Sequence, residues 1–193
     1  MGKTNAYHFI THWRVRATRE EVFAILGDAE DLAVWWPSVY LRVIELHKGN
    51  KEGLGKVVRL YTKGWLPYTL HWSFSIVRVD YPIDFALAAT GDFVGRGLWT
   101  FEEDGDYVDI TYDWKISAEK PLLKYFSFIM KPIFSANHHW AMHMGEESLK
   151  LELLRRRAKT PAEMARIPAP PPPTFQRWVA AESSLSEARR SRL

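Results

Sequence analysis

Residues 7–37 of the chain read YHFITHWRVRATREEVFAILGDAEDLAVWWP and place three structural elements in a row. From residue 7 to residue 17 apolar and polar side chains alternate, which predicts a strand with one buried face. Thr18 follows, with Glu21 three positions later, and this capping-box spacing predicts the start of a short helix. A second short helical segment, residues 29–36, has to end at Pro37, because a proline disfavours the helical conformation of the residue before it.

Six strand-like runs follow these helices, and each is bounded by residues that favour turns. They cover residues 39–47, 56–63, 68–79, 83–90, 97–102 and 107–118. Short connections between successive strands favour antiparallel pairing, so an antiparallel meander of seven strands is expected. The glycine-rich stretch 91–97 is interpreted as a turn in which Asp92 and Arg96 pair or cap the backbone, or in which Arg96 borders a cavity and anchors a ligand.

The last folded segment is predicted to be helical from about residue 120 to residue 159. Pro121 and Pro132 each suit a first helical turn, which indicates a short helix over 121–130 and a longer one that starts near Pro132. In the longer helix apolar residues recur at steps of three and four, so one face is buried, and Gly145 on that face allows a close approach. The sequence therefore predicts an α+β, helix-grip fold: a curved antiparallel sheet of seven strands wrapped around a long C-terminal helix, with two short helices after the first strand.

The chain divides into a neutral body, residues 1–158, and a basic, proline-rich tail, residues 159–193. The body is long enough for one hydrophobic core, and the tail is expected to be extended or weakly helical. Acidic and basic side chains are equal in number in the body, so the basic pI comes from the tail and no nucleic-acid binding is predicted. The chain has no cysteine, which excludes thiol chemistry, and no signal-peptide core or long apolar run, so a cytoplasmic location is expected.

The order and spacing of several segments resemble the START-like, SRPBCC superfamily, in particular its polyketide cyclase/dehydrase-like branch and the birch-pollen allergen. These segments are residues 13–17 with 21–23, 28–37, 66–68, 91–97 with Trp99, 112–114, and 137–146. The resemblance extends over residues 5–157 and leaves the tail unexplained. It implies the helix-grip fold and an internal cavity. Members of the superfamily bind lipids, sterols, polyketides and plant hormones, and only some are catalysts, so the resemblance leaves the function open.

Nine tryptophans in 193 residues indicate an aromatic cavity lining, although any single tryptophan is readily explained as part of the core. Strand parity places several rings on inward faces, where flat side chains suit a planar apolar ligand. Arg59 and Tyr61 share a face of one strand and would orient a ligand if that face points inward. The predicted ligand-binding residues are Trp13, Trp36, Arg59, Tyr61, Trp72, Trp99, Tyr112, Trp114, His138 and Met142.

His138 lies on the apolar face of the long helix and is the first choice for an acid or base, if the cavity is catalytic at all. The simpler interpretation is a structural histidine. His139 and His143 are four residues apart and could share a metal ion, but the sequence places no third ligand, so neither a metal nor a cofactor is predicted.

Three functions remain open from the sequence. The favoured one is binding of a small hydrophobic ligand, such as a lipid, a polyketide or an aromatic molecule, without catalysis. The second is an aromatase/cyclase-like enzyme that closes rings in a polyketide-type chain. The third is an interaction module that uses the tail, with possible peripheral membrane contact through the apolar segment 122–134.

Overall fold

A single antiparallel sheet forms most of the protein in the computed structural model, which describes residues 5–119 and 127–174. Its seven strands lie in the order β1-β7-β6-β5-β4-β3-β2, so all neighbours except β1 and β7 are consecutive in the chain. The strands are β1 (Ala6–Val15), β2 (Tyr40–His47), β3 (Val57–Lys63), β4 (Thr69–Asp80), β5 (Asp84–Gly91), β6 (Phe93–Asp104) and β7 (Tyr107–Ala118). The predicted α+β, helix-grip fold is confirmed.

Two short helices follow β1, as predicted: α1 (Arg19–Leu26) and α2 (Leu32–Trp35), which is preceded by a 3-10 turn over Ala29–Asp31. The capping box is complete. The Thr18 hydroxyl accepts a hydrogen bond from the Glu21 N–H at 3.3 Å, and the Glu21 carboxylate accepts one from the Thr18 N–H at 2.9 Å. Two of the N–H groups at the helix start are thereby satisfied, which fixes where β1 ends and α1 begins.

The turn is shorter than the predicted stretch 91–97, because β5 ends at Gly91 and β6 already begins at Phe93. Asp92 lies between them and caps the backbone, as expected, because its carboxylate accepts a hydrogen bond from the His71 N–H at 2.9 Å. Gly95 and Gly97 are paired with Ile116 and Trp114 of β7. Glycine is needed at position 97 for a packing reason, since an added Cβ would lie 2.7 Å from the Tyr112 hydroxyl. Arg96 is exposed on the outer face of this strand and therefore does not border the cavity.

The long helix α3 (Ser127–Arg157) begins before Pro132, so the predicted break into two helices at this proline is wrong. Pro132 is the sixth residue of the helix. Its missing N–H removes a single hydrogen bond near the beginning of the helix. The beginning of the predicted short helix lies outside the described residues. The predicted buried face is confirmed by residues at helical spacing: Phe134, Met142, Leu149 and Leu153 are each at most 5% exposed.

Two contacts set the position of α3. Gly145 lies against the indole of Trp36, where an added Cβ would come within 2.3 Å of the ring. At the end of the helix the Arg157 guanidinium makes two hydrogen bonds to the Glu21 carboxylate, at 2.6 and 2.7 Å, and a third to the Arg16 carbonyl at 3.0 Å. The long helix is thus attached to the two short ones at its middle and at its end.

Beyond α3 the described chain forms one turn of helix, α4 (Pro161–Met164), and then an extended proline-rich stretch. No helix within residues 5–119 and 127–174 combines the length and the hydropathy that crossing a bilayer requires.

The contact between Gly145 and Trp36 leads to a stability prediction. Gly145→Ala should destabilise the protein by about 1–3 kcal/mol, because the ring has no room to move away from the new methyl group. A glycine in an uncrowded helix would show the opposite sign, since alanine is the better helix former by about 1 kcal/mol.

Urea denaturation measures the effect, with Ala136→Gly on the exposed face of the same helix as the control. The control should lose about 1 kcal/mol from helix propensity alone. A Gly145→Ala protein that is more stable than the wild type would contradict the close packing.

A candidate ligand cavity between the sheet and the long helix

A cavity of about 90 Å³ lies between the inner face of the sheet and α3. Aromatic and aliphatic side chains supply most of its wall. The lining residues within the described part of the chain are Trp36, Val39, Tyr40, Thr62, Lys63, Gly64, Leu70, Trp72, Phe93, Tyr112, Trp114, Ile116, Phe134, Asn137, His138, Ala141 and Met142. An open sheet and one helix leave this space because their curvatures do not match over the whole contact.

Six of the ten predicted ligand-binding residues line this cavity. They are Trp36, Trp72, Tyr112, Trp114, His138 and Met142. Trp13 and Trp99 are buried, at 4% and 7% exposure, but they lie behind the lining and pack on each other with ring centroids 5.3 Å apart. Their role is to support the wall, because Trp13 contacts Trp36 and Trp99 stacks on Tyr112.

Arg59 and Tyr61 do not line the cavity, contrary to the expectation that their face of β3 points inward. Arg59 is exposed, while Leu60 and Thr62 on the alternate face are buried. Tyr61 packs on His71 of the neighbouring strand, with centroids 4.5 Å apart. The two faces of a strand could not be told apart by parity, since β3 carries apolar residues on both.

A stack of three rings forms the wall that the sheet contributes. Tyr112 lies parallel to Trp99, with centroids 4.0 Å apart and an interplanar angle of 14°, and parallel to Trp114 at 5.5 Å and 20°. Trp72 continues the wall beside Trp114 at 5.8 Å. The rings hold one another in place, so the wall is rigid and apolar.

The hydroxyl groups of the lining are neutral. Burial raises the pKa of Tyr112, and burial also raises the pKa of Tyr40. The Thr62 hydroxyl accepts a hydrogen bond from the Trp72 indole N–H at 3.0 Å. Beside the Lys63 ammonium, a ligand in the cavity therefore meets these uncharged donors and acceptors among the rings.

His138 brings an imidazole to the cavity from the middle of α3. Its ring stacks on Phe9, with centroids 4.0 Å apart, and its Nε2 lies 3.5 Å from the Thr11 hydroxyl. Burial, with a smaller effect from His139, lowers the pKa of His138 to about 4. The ring is therefore neutral at pH 7, so one ring nitrogen donates a hydrogen bond and the other accepts a hydrogen bond or a proton.

Four polar residues of the lining were missed by sequence reasoning: Tyr40, Thr62, Lys63 and Asn137. Asn137 is 7% exposed, and its amide oxygen accepts a hydrogen bond from the Leu66 N–H at 3.3 Å. The alternation along β3 would have placed Thr62 with Leu60 on one face. Asn137 directly precedes His138 in the chain, but the apolar spacing of the helix did not include it.

His139 and His143 are both exposed on α3, and the His139 ring contacts the Ser135 carbonyl at 2.8 Å. Across the described ranges no group of three or more acidic or histidine side chains is arranged to hold a metal ion. The membrane-contact segment 122–134 lies mostly outside the part of the chain whose side chains are described, as does the tail from residue 175 onward.

A larger cleft of about 460 Å³ lies on the surface between α1 and the hairpin formed by β2 and β3. Its rim is charged, and Lys56 is already paired with Glu30 at 3.0 Å and with Glu45 at 3.4 Å. The smaller cavity is the better candidate site, because aromatic rings supply much of its wall and a few polar groups lie among them.

Solved structures of other proteins share this architecture. The protein TTHA0849 from Thermus thermophilus matches with a TM-score of 0.64 at 14% identity, over 79% of this chain and 100% of the other. The Zhui aromatase/cyclase from a Streptomyces species matches with 0.61 at 19% identity, over 80% and 97%. The norcoclaurine synthase of Thalictrum flavum, in complex with dopamine and hydroxybenzaldehyde, matches with 0.56 at 14% identity, over 80% and 90%.

The chain has a START-like fold. It is the fold that the resemblance to the polyketide cyclase-like branch of the SRPBCC superfamily implied. No family model matches the chain, and no curated protein matches it by sequence. At such low identities the START-like fold is what these structures have in common with this chain, and the ligand is a separate question.

The buried imidazole leads to a prediction about pH. The pKa of His138 falls from its ordinary 6.5 to about 4 in the fold, so the unfolded chain binds the proton more tightly. Stability should therefore fall as the pH drops from 6.5 towards 4, with a loss of about 2 kcal/mol at pH 5 relative to pH 7 from this group.

Urea denaturation at pH 7 and pH 5 measures this slope. His138→Phe should remove most of the difference attributable to the ring, whereas His139→Phe, at the exposed neighbouring position, should leave most of it in place. Equal pH dependence in the wild type and His138→Phe would show that His138 is not the buried neutral group.

Proposed function

We propose that this protein binds a small, uncharged molecule with one aromatic ring in the cavity between the sheet and α3. The observation that carries the proposal is the aromatic wall of Trp72, Tyr112 and Trp114, which Trp99 supports from behind and which offers rigid apolar surface next to neutral polar groups. Planar apolar ligands gain from such surfaces, while an unpaired charge would lose its hydration. The Thalictrum flavum structure with the same fold holds dopamine and hydroxybenzaldehyde, which are both one-ring molecules.

The size of the cavity limits the ligand to a small one. Its volume is about 90 Å³, whereas a cavity of about 150 Å³ accommodates benzene. Entry of a ring thus requires about 60 Å³ more space. Met142 is the lining residue best suited to provide it, because its unbranched side chain has several rotamers. A multi-ring or long-chain molecule would insert one end only.

Polar contacts would orient the ligand. The Tyr112 hydroxyl remains a donor at neutral pH, and the neutral His138 ring accepts a hydrogen bond. A phenol or an aromatic aldehyde would satisfy one of these groups while its ring covers the stack. Both groups lie on rigid elements, β7 and α3, so they would hold the ligand in one orientation.

A cavity-filling substitution tests the proposal. Ala141 lines the cavity, so Ala141→Phe should occupy the space and weaken the binding of 4-fluorophenol at least tenfold, measured by fluorine NMR titration. Ala136→Phe adds the same side chain to the exposed face of α3 and should bind like the wild type.

Charge provides a second comparison in the same titration. 4-Fluorobenzoate has the same ring and should bind at least tenfold more weakly, because its carboxylate would lose its hydration in an apolar wall where the Lys63 ammonium is already hydrogen-bonded to the Thr174 carbonyl. If the wild type binds neither probe, or if Ala141→Phe and Ala136→Phe bind 4-fluorophenol equally, the cavity is not the site.

A cyclase-like activity is the second candidate, and the specific observation in its favour is the neutral imidazole of His138 in the cavity wall. Such a base would take a proton from a carbon between two carbonyl groups and promote ring closure, a contribution of about 10²–10⁴ in rate.

Incubation with a poly-β-keto thioester, followed by mass spectrometry of the cyclised product, tests this activity. His138→Phe should lose at least a hundredfold in rate, and His139→Phe should retain it. Cyclisation that is no faster than without protein, or unchanged in His138→Phe, would rule out this role and leave the binding proposal intact.

A further inference from the structure

The described end of the tail runs back along the body toward the cavity. After α3 the chain turns through α4, where the Thr160 hydroxyl accepts a hydrogen bond from the Glu163 N–H at 3.2 Å. Residues 165–174, which we call the strap, then lead to the connection between β3 and β4. Hydrogen bonds at both ends of the strap hold it on the body.

At the near end, the Arg155 guanidinium of α3 donates a hydrogen bond to the Pro168 carbonyl. At the far end, the Lys63 ammonium donates to the Thr174 carbonyl at 2.6 Å, and the Thr174 hydroxyl donates to the Gly64 carbonyl at 3.1 Å. The strap is therefore fastened to α3 on one side and to the end of β3 on the other.

Burial shows that the far end is a packed contact. Lys63 is only 5% exposed, and burial lowers the pKa of its ammonium group. Lysines are seldom buried unless their charge is satisfied. The hydrogen bond to the Thr174 carbonyl is one such contact, so the far end of the strap helps to hold Lys63 in the fold.

The same connection is held from the opposite side by α3. The Asn137 amide accepts the Leu66 N–H, and Gly64 lies so close to Asn137 that an added Cβ would come within 2.0 Å of its side chain. Lys63, Gly64 and Asn137 all line the cavity. Gly64 is therefore a point of the cavity wall that is held between the helix and the strap, and residues 65–68 continue the connection beyond it.

The composition of the strap favours its docking on the body. Five of the six residues 168–173 are prolines, which restrict the backbone to an extended conformation before it docks. Little conformational entropy is then lost on docking, so two hydrogen bonds at the far end can fix the position of a long segment.

We propose that the strap controls access to the cavity. When docked, it holds Gly64 against Asn137; when released, it lets Gly64 and the connection over residues 65–68 move away from α3 and widens the path to the cavity. What enters the cavity rests on the proposed function, but the opening itself is a property of the protein without ligand.

The test uses the full chain with both contacts at the far end removed, as Lys63→Met together with Thr174→Val. The control is Lys51→Met with Thr90→Val, which makes the same chemical changes at exposed positions. Hydrogen–deuterium exchange without ligand should be at least tenfold faster over residues 64–68 in the strap variant, and unchanged in the control. Acrylamide quenching of tryptophan fluorescence should also increase in the strap variant only.

With 4-fluorophenol present, the rate constants of association and dissociation should both rise at least threefold in the strap variant, with a smaller change in Kd. Unchanged exchange over residues 64–68, or unchanged quenching by acrylamide, would overturn the proposal. If the wild type does not bind 4-fluorophenol, the proposed function fails, while exchange and quenching still decide whether the strap limits access. Thr174→Val alone, which keeps Lys63, gives the same comparison if the double variant does not fold.

Discussion

The close approach of α3 to Trp36 is the contact on which the rest of the structure depends. Gly145 is the point where the helix comes nearest, because its missing side chain leaves room for the indole ring. From this point the sheet curves away from the helix. Met142 and His138, one and two turns earlier in the helix, therefore line the cavity. A larger residue at position 145 would move the helix outward and change the cavity along its whole length.

The cavity combines a rigid wall with a more adaptable one. The sheet contributes stacked rings whose positions are fixed by neighbours on both sides, such as Trp99 behind Tyr112. The helix contributes Met142, Ala141 and His138, of which the methionine can change its rotamer. Rigid rings favour flat ligands, and the adaptable side sets how much volume a ligand can gain. The shape of the rigid wall and the volume that the adaptable wall can provide would together determine which ligands bind.

Burial without charge is the common feature of the polar groups in the wall. Tyr40, Tyr112 and His138 are all kept neutral by the apolar surroundings. Several charged residues elsewhere form ion pairs at the surface, for example Arg14 with Asp104 and Asp109. Lys63 is the buried exception in the described lining, and its ammonium contacts the strap.

Much of the fold could be predicted from local patterns. Alternation marks the strands, and β7 has the predicted boundaries, Tyr107–Ala118. Thr18 and Glu21 mark the start of α1, and Pro37 marks the end of α2, because capping and proline effects act within a few residues. These signals fail where tertiary contacts decide: Gly95 and Gly97 suggested a turn, but pairing with β7 makes them part of a strand.

The sequence by itself determined the order of the elements, the buried face of α3 and the aromatic character of the core, because each follows from residue type and spacing over short distances. Only the tertiary structure decided which six of the ten predicted residues reach the cavity, that Arg59 and Tyr61 point outward, and that the tail returns to Lys63 and Gly64. These features depend on residues far apart in the chain. Their positions are set by strand twist, helix approach and hydrogen bonds that no local pattern contains.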